Sequence, residues 1–186
     1  SNKDHIINTA YVSTLTKQYD SFRNDLLRNP DIKEIGRSSR IPSGRLLDES
    51  NAAVMNGGSM QAVKIDLKFI TTDYGFIPTY GMQMAAGRNF SRAFLSDTSN
   101  YIINETAVQQ LGWKTAQNAI DKDLSYGGVK GKIIGVVKDF HFESRHQKII
   151  PLLFQFPSAQ SGYDNNISIK ISSNNRPSAI NSIKDT

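Results

Sequence analysis

The sequence lacks several features that would point to a chemical class. Its 186 residues contain no cysteine, three histidines and one tryptophan. Without cysteine there is no disulfide framework and no thiolate chemistry. No run of residues approaches the roughly 20 apolar positions that a membrane-spanning helix requires. The 22 Lys and Arg residues interleave with 17 Asp and Glu residues. We therefore interpret the net charge of +5 as a solvated, mildly basic surface and expect no nucleic-acid binding.

Two common catalytic motifs are also missing. The Gly-rich segment 127–132 does not fit a phosphate-binding loop, because Tyr126 and Ile133 stand where that loop needs Gly and Ser or Thr. Gly127 and Gly128 instead predict the two-residue turn of a β-hairpin. No Gly-x-Ser-x-Gly nucleophile elbow occurs.

The first third of the chain predicts a β-α-β order. Strands are indicated over 6–12 and 32–38, and Thr14 or Thr16 can cap the helix between them. Pro30 ends that helix. The apolar stripe of the helix comprises Leu15, Tyr19, Phe22 and Leu26. A right-handed crossover follows if the two strands are parallel neighbours.

A long loop and a half-exposed strand are predicted next. Residues 39–60 are rich in Gly, Ser and Asn, and a loop of that length is either mobile or functional. Its Met55 and Met60 could contact a partner protein, because methionine adapts to irregular surfaces. Apolar and polar residues alternate over 61–70, which indicates a strand.

The second half predicts further strands and helices. A short helix or turn is indicated over 73–80, a strand over 101–103, and a helix that Asn104 caps. The apolar run 133–137 is typical of a strand covered on both faces, and alternation extends it as an edge through 140–142. Pro151 indicates that the run 149–154 is a strand edge or a crossing rather than a central strand. Residues 167–171 predict a strand with one solvent face, followed by a helix from Arg176.

Two groups of side chains are candidates for a binding site. Asp139, His141, Glu143 and His146 could hold zinc or support a metal-dependent hydrolase, or they form only the polar face of a strand. Tyr74, Phe76 and Tyr80 could line a ligand cleft, although core packing explains their spacing better. We assign no catalytic, cofactor-binding or metal-binding residue from these patterns.

Three phrases carry a resemblance to a known family. They are DYGFIPTYGM at 73–82 leading into AGRNF at 86–90, IINETAV at 102–108, and GVVKDFHFES at 135–144 followed by His146 and Pro151. In this order they resemble the extracytoplasmic core domain of MacB-like, or FtsX-like, ABC transporter permeases. Three ordered phrases are more specific than a single motif.

The resemblance implies an α+β fold with two lobes. A porter-like lobe with a βαβ unit would comprise 1–71 and 146–186, and a smaller mixed lobe, called Sabre-like, would comprise the inserted 72–145. Ser1 and Asn2 look like a cloning scar, and the predicted helix from Arg176 reaches Thr186 without a cap, which we interpret as the mark of a fragment. The resemblance implies that membrane spans lie on both sides of this fragment.

The resemblance further implies a non-catalytic role. The domain would transmit ATP-driven motion across the membrane to a substrate or partner protein, in efflux or in lipoprotein or peptide export. Its partners would be a second permease copy and a separate cytoplasmic ATPase subunit, and it would lie on the periplasmic side of the inner membrane. A sensory or ligand-binding module outside the cytoplasm is the alternative.

Overall fold

The fold is α+β and is built on two sheets. The computed structural model describes residues 4–10, 18–42, 48–142, 146–158, 166–172 and 176–185. The strands are β1 (Asp4–Ala10), β2 (Ile32–Ser38), β3 (Ala52–Asn56), β4 (Ser59–Ala62), β5 (Lys68–Thr71), β6 (Met84–Gly87), β7 (Tyr101–Asn104), β8 (Asp123–Tyr126), β9 (Val129–Val137), β10 (Leu152–Gln155) and β11 (Asn166–Ser172). The helices are α1 (Tyr19–Leu27), α2 (Phe76–Thr79), α3 (Glu105–Gln110), α4 (Ala116–Ala119) and α5 (Arg176–Asp185), with a 3-10 turn at Leu95–Ser99. Within the described ranges, no helix has the length and apolar character needed to cross a bilayer.

The small sheet has the order β1-β11-β2, with β11 antiparallel to both neighbours. The first and second strands of the predicted β-α-β unit are therefore parallel, but β11 separates them. Isoleucines of β11 and β2 pack with Tyr19 and Leu26 of α1 and with Ala179 of α5. The α1 and α5 helices are confirmed; the predicted caps Thr14 and Thr16, and Leu15, lie outside the described residues.

The large sheet has the order β4-β3-β8-β9-β7-β10-β5, and β6 also pairs with β9. Successive residues of β9 and β10 enter different clusters: Val136 and Leu153 pack in one, and Val137 and Leu152 in the other. Because strand side chains alternate between faces, the sheet is covered on both sides. The prediction for 133–137 is confirmed, as is the β8–β9 hairpin, whose Gly127 and Gly128 have φ of 58° and 82°.

Two predictions about 39–70 are wrong. The segment 39–60 is not a continuous loop, because β3 and the start of β4 form a hairpin across Gly57 and Gly58. The strand predicted over 61–70 is divided into β4 and β5, which lie at opposite edges of the large sheet. Alternation misled the prediction, because Val63, Ile65 and Leu67 lie between the two strands and still pack on the core. The Val63 N–H donates to the Ala52 carbonyl at 3.0 Å just beyond the end of β4. Residues 43–47 lie outside the described ranges.

Two predictions about the later chain are also wrong, and a third holds only in part. The β10 strand is not at an edge but lies between β7 and β5; Pro151 precedes it and supplies only a carbonyl, to the Lys68 N–H at 3.3 Å. The predicted strand extension through 140–142 does not form, because β9 ends at Val137. The predicted solvent face of β11 is present in part: Lys170 and Ser172 are half-buried, whereas Ser168 on the same face is fully buried.

The two sheets meet at a buried contact that we call the junction, formed by residues 35–39 and 71–76. The Asp73 carboxylate is fully buried there. Its Oδ2 accepts a hydrogen bond from the Tyr19 hydroxyl at 3.0 Å, and its Oδ1 accepts from the Arg37 N–H at 3.0 Å and the Gly75 N–H at 3.1 Å. A Cβ at Gly75 would lie 2.0 Å from the Ile35 carbonyl oxygen, so only glycine allows this approach.

Backbone pairing reinforces the junction. Ser38 and Thr72 form an antiparallel bridge. On its two sides the Ser39 N–H donates to the Thr71 carbonyl at 2.9 Å, and the Asp73 N–H donates to the Arg37 carbonyl at 3.1 Å. The sheets are thus joined by main-chain bonds and by one buried charge.

Strand pairing differs from the predicted lobes. The β3, β4, β5 and β10 strands, which were expected in the lobe of 1–71 and 146–186, pair within the large sheet together with strands of 72–145. The boundary near Arg145 lies outside the described residues. The division into these two lobes stays a prediction.

Replacing Asp73 by asparagine tests the buried charge. Burial raises the pKa of Asp73 to about 6, against three hydrogen bonds and Arg23, which lower it. Because the folded carboxyl holds its proton more tightly than the unfolded one, Asp73 adds stability below about pH 4 that is lost as the pH rises through 6. Relative to the native chain, we expect the free energy of unfolding of Asp73→Asn to rise by up to about 3 kcal/mol between about pH 4 and pH 7. Denaturant titration at several pH values measures this difference.

Asp97→Asn is the matched control. Burial alone would raise the pKa of Asp97, but hydrogen bonds from Arg88 and from the Ser91 N–H hold it below its ordinary value. Its contribution to stability is present above the ordinary value of 3.8 and is lost only below it. The difference in the free energy of unfolding between Asp97→Asn and the native chain should therefore stay nearly constant over the same pH range. An equally constant difference for Asp73→Asn would contradict the charged junction.

Candidate functional site

A cavity of about 630 Å³ lies against one face of the large sheet, and we call it the pocket. Its floor is formed by Val137, Leu152 and Phe154 of the central strands, together with Met82. Lys68, Asn104 and residues of 138–142 and 147–150 complete its lining. A volume of this size is in the range of small-molecule sites.

Asp139 positions the first of these lining segments. Its Oδ1 accepts from the Thr106 N–H at 2.9 Å, and its Oδ2 accepts from the Thr106 hydroxyl at 2.8 Å. The Asp139 N–H donates to Glu105 Oε1 at 2.9 Å. The carboxylate thus serves the first turn of α3, while Phe140 and Phe142 pack together with ring centroids 5.2 Å apart and line the pocket.

Asn104 positions the second lining segment. Its Oδ1 accepts from the Ala107 N–H at 2.9 Å, which confirms the predicted cap, and from the Leu152 N–H at 3.1 Å. Its Nδ2 donates to the Ile150 carbonyl at 2.8 Å. One buried side chain therefore begins α3 and fixes the chain where it enters β10.

The charge around the pocket is positive. Lys68, Lys138, Lys148 and His141 line it, and none of its described lining residues is acidic. Lys68 is paired with Glu49 at 2.6 Å. Lys138 and Lys148 are exposed and make no ion pair within the described part of the chain. The pocket therefore combines an apolar floor with two lysines that pair with no described carboxylate.

The sequence of this domain matches the model of a known protein family. The model of the MacB-like periplasmic core domain matches residues 2–185. The chain belongs to this family. The resemblance seen in the three sequence phrases is confirmed, and the chain is a periplasmic core domain of the MacB-like type found in ABC transporter permeases.

Solved structures share the fold of this MacB-like domain. The periplasmic region of MacB from Actinobacillus actinomycetemcomitans aligns with a TM-score of 0.61 and 14% identity, over 98% of this chain and 81% of that chain. The extracellular domain of the noncanonic ABC-type transporter YknZ from Gram-positive bacteria aligns with a TM-score of 0.59 and 18% identity, over 94% of this chain and 88% of that chain. A domain of a protein described as a permease from Porphyromonas gingivalis aligns with a TM-score of 0.53 and 15% identity, over 88% of this chain and 68% of that chain. No curated protein sequence matches the chain.

Of the four residues considered for a metal site in the MacB-like domain, the three that the structure describes are not grouped as metal ligands. Asp139 uses both carboxylate oxygens on Thr106, whereas His141 lines the pocket and His146 is exposed. Glu143 lies outside the described residues. Among the residues that the structure describes, no three His, Asp or Glu side chains are grouped so that they could hold a metal ion.

The aromatic residues considered for a cleft do not line the pocket. Phe76 is fully buried and packs 6.0 Å from Phe154, ring centroid to centroid. The Tyr80 hydroxyl lies 2.7 Å from Ser168 Oγ. Tyr74 faces Arg92 at 4.6 Å from its ring centroid. Packing within and between the sheets is therefore the role of all three.

The methionines considered for partner contact lie on the β3–β4 hairpin, where Met55 is paired with Met60. Met55 is 41% exposed. The proposed contact of this segment with a partner stays a prediction.

The pocket itself was not predicted. Its lining comes from Met82, Asn104 and two segments after β9, which only the fold brings together. The available signal was the pair of lysines next to apolar residues, Lys138 before Phe140 and Lys148 before Ile149. That pattern is common on protein surfaces, because lysine stems cover apolar neighbours.

Removing the Asp139 carboxylate should loosen the pocket lining. We expect Asp139→Ala to lower the free energy of unfolding by about 1 kcal/mol, because the Thr106 N–H loses its acceptor at the start of α3. Hydrogen exchange of the amides in 138–142 should accelerate, while exchange in β9 should not change. Mass-spectrometric exchange on peptides from both regions measures the difference.

Thr106→Val is the matched variant for this test. It removes only the hydroxyl bond to Asp139 and leaves the backbone bond, so its effect on exchange in 138–142 should be smaller. In the double variant, the effects of the two changes on hydrogen exchange should not add, because both remove the same hydrogen bond between Thr106 and Asp139. Unchanged exchange in Asp139→Ala would contradict the positioning role.

Proposed function

We propose that this MacB-like domain transmits ATP-driven motion of a membrane-embedded ABC transporter to a substrate or partner protein outside the cytoplasm. The observation that carries the proposal is the family match over 2–185, supported by the fold shared with two transporter domains. The domain itself breaks no bonds. ATP is hydrolysed by a separate cytoplasmic subunit, and a second permease copy completes the assembly in the inner membrane.

The two-sheet architecture supports a mechanical role. Transmission of motion needs stiff bodies and a contact that has discrete arrangements. Both sheets are stiffened by packed cores, and they meet at the junction. Any rearrangement at the junction must give the buried Asp73 carboxylate new donors, since an unpartnered buried charge is strongly unfavourable. We propose that this requirement limits the sheets to a few relative positions.

Distances between spin labels in the full-length transporter test the proposal. Because these 186 residues contain no cysteine, labels can be attached at introduced cysteines once any others in the full-length protein are replaced. Lys33 of β2 and Gln110 of α3 are exposed and lie on the small and large sheets. With ATP and vanadate, we expect the distance distribution between labels at Lys33→Cys and Gln110→Cys to shift relative to the nucleotide-free state.

A label pair within the large sheet is the control. Gln61 of β4 is also exposed, and the distance between Gln61→Cys and Gln110→Cys should not change with nucleotide. If no distribution shifts, within one copy or between copies, the domain does not transmit motion. Micromolar binding of ATP by the isolated 186-residue chain would contradict the assignment of hydrolysis to another subunit.

Ligand binding is the second candidate function. The pocket favours it, since a concave apolar surface with few polar groups is typical of small-molecule sites. The two functions do not exclude each other, because none of the lining residues of the pocket belongs to the junction.

A further inference from the structure

We propose that the pocket binds a single-chain anionic amphiphile, such as a fatty-acid anion, with the chain on the apolar floor and the anionic group near Lys138 and Lys148. The inference is independent of the proposed transmission of motion. It rests on the shape of the pocket, the chemistry of its floor and the positive charge of its lining.

The floor selects an apolar chain. Met82, Val137, Leu152 and Phe154 line the floor and belong to the core cluster around Phe76. Phe140, Phe142 and Ile149 add apolar area from the two lining segments. Because the hydrogen-bonding groups of Asn104 are engaged with Ala107, Leu152 and Ile150, the floor has few sites for a polar ligand.

The lining selects a negative group. Lys68 is neutralised by Glu49, but Lys138 and Lys148 keep their charges, and His141 adds a further donor. No described lining residue opposes an anion. Asp139 directly follows Lys138 in the sequence, but its carboxylate is hydrogen-bonded to Thr106 on α3. An anionic head group is therefore attracted to the same opening through which an apolar chain enters.

The size of the pocket favours one chain. Its volume of about 630 Å³ is within the range for small-molecule sites. The Asp139 and Asn104 contacts hold the two lining segments in place without a ligand, so binding does not require the site to be built. This pre-organisation lowers the entropic cost of association.

Calorimetric titration of the 186-residue chain with dodecanoate, below its micelle concentration, tests the proposal. We expect one bound molecule per chain and an affinity that increases about fourfold for each methylene added from octanoate to dodecanoate. Amide shifts in the NMR spectrum should be largest at Val137, Leu152 and residues 138–142. Binding without dependence on chain length, or shifts elsewhere, would overturn the proposal.

Charge variants test the role of the lysines. Lys138→Met and Lys148→Met keep an apolar stem but remove the charge, and each should weaken dodecanoate binding about two- to fivefold. The double variant Lys138→Glu with Lys148→Glu should weaken it more than tenfold. Lys122→Met, at an exposed lysine outside the pocket, is the matched control and should leave the affinity unchanged. Equal affinity of the native chain and the double variant would overturn the assignment of the head group.

Two further arms distinguish the source of the chain. Dodecanol, which has no charge, should bind more weakly than dodecanoate to the native chain and equally to the native chain and the Lys138→Met variant. Vesicles of phosphatidylcholine with phosphatidylglycerol should not sediment the chain more than neutral vesicles. Sedimentation on anionic vesicles without binding of dodecanoate would assign the lysines to a membrane surface and overturn the pocket proposal. Failure here leaves the spin-label result unaffected, so the two proposals fail separately.

Discussion

The Asp73 carboxylate is buried where the two sheets meet and accepts hydrogen bonds from Tyr19, Arg37 and Gly75. These donors come from α1, from β2 and from the start of α2, so one side chain fixes three elements. A carboxylate removed from water needs such donors, because its desolvation is otherwise strongly unfavourable. The close approach of Gly75 to the Ile35 carbonyl oxygen leaves little room for another arrangement. The relative placement of the sheets follows from this requirement.

The junction and the pocket share one apolar cluster. Phe76 begins α2 immediately after Gly75 and packs against Phe154, which forms part of the pocket floor. Tyr80, at the end of the same helix, packs against Phe142 with ring centroids 6.4 Å apart. A molecule in the pocket would therefore contact side chains that also touch the junction. Packed side chains are a physical route by which occupancy of one region can alter the other.

Local chemistry was predictable from the sequence, whereas long-range pairing was not. Asn104 as a cap, the Gly127-Gly128 turn and the apolar run 133–137 each depend on a few adjacent residues. The central place of β10 depends instead on partners about 50 and 85 residues earlier in the chain, and Pro151 suggested the opposite. Asp139 looked like a surface residue of a strand because its partner, Thr106, lies in another phrase of the sequence. The pocket could not be predicted for the same reason, because its lining residues come from separate segments of the sequence.

In both sheets an internal strand comes late in the chain. The β10 strand lies between β7 and β5, and β11 lies between β1 and β2. During synthesis, β1 and β2 have no partner until residue 166 emerges, and β5 waits until 152. Such non-local pairing slows folding and leaves strand edges open to aggregation. Premature termination of translation before residue 152 would thus yield a polypeptide without either completed sheet, and chaperones that hold unpaired strands would be needed longest for this domain's earliest residues.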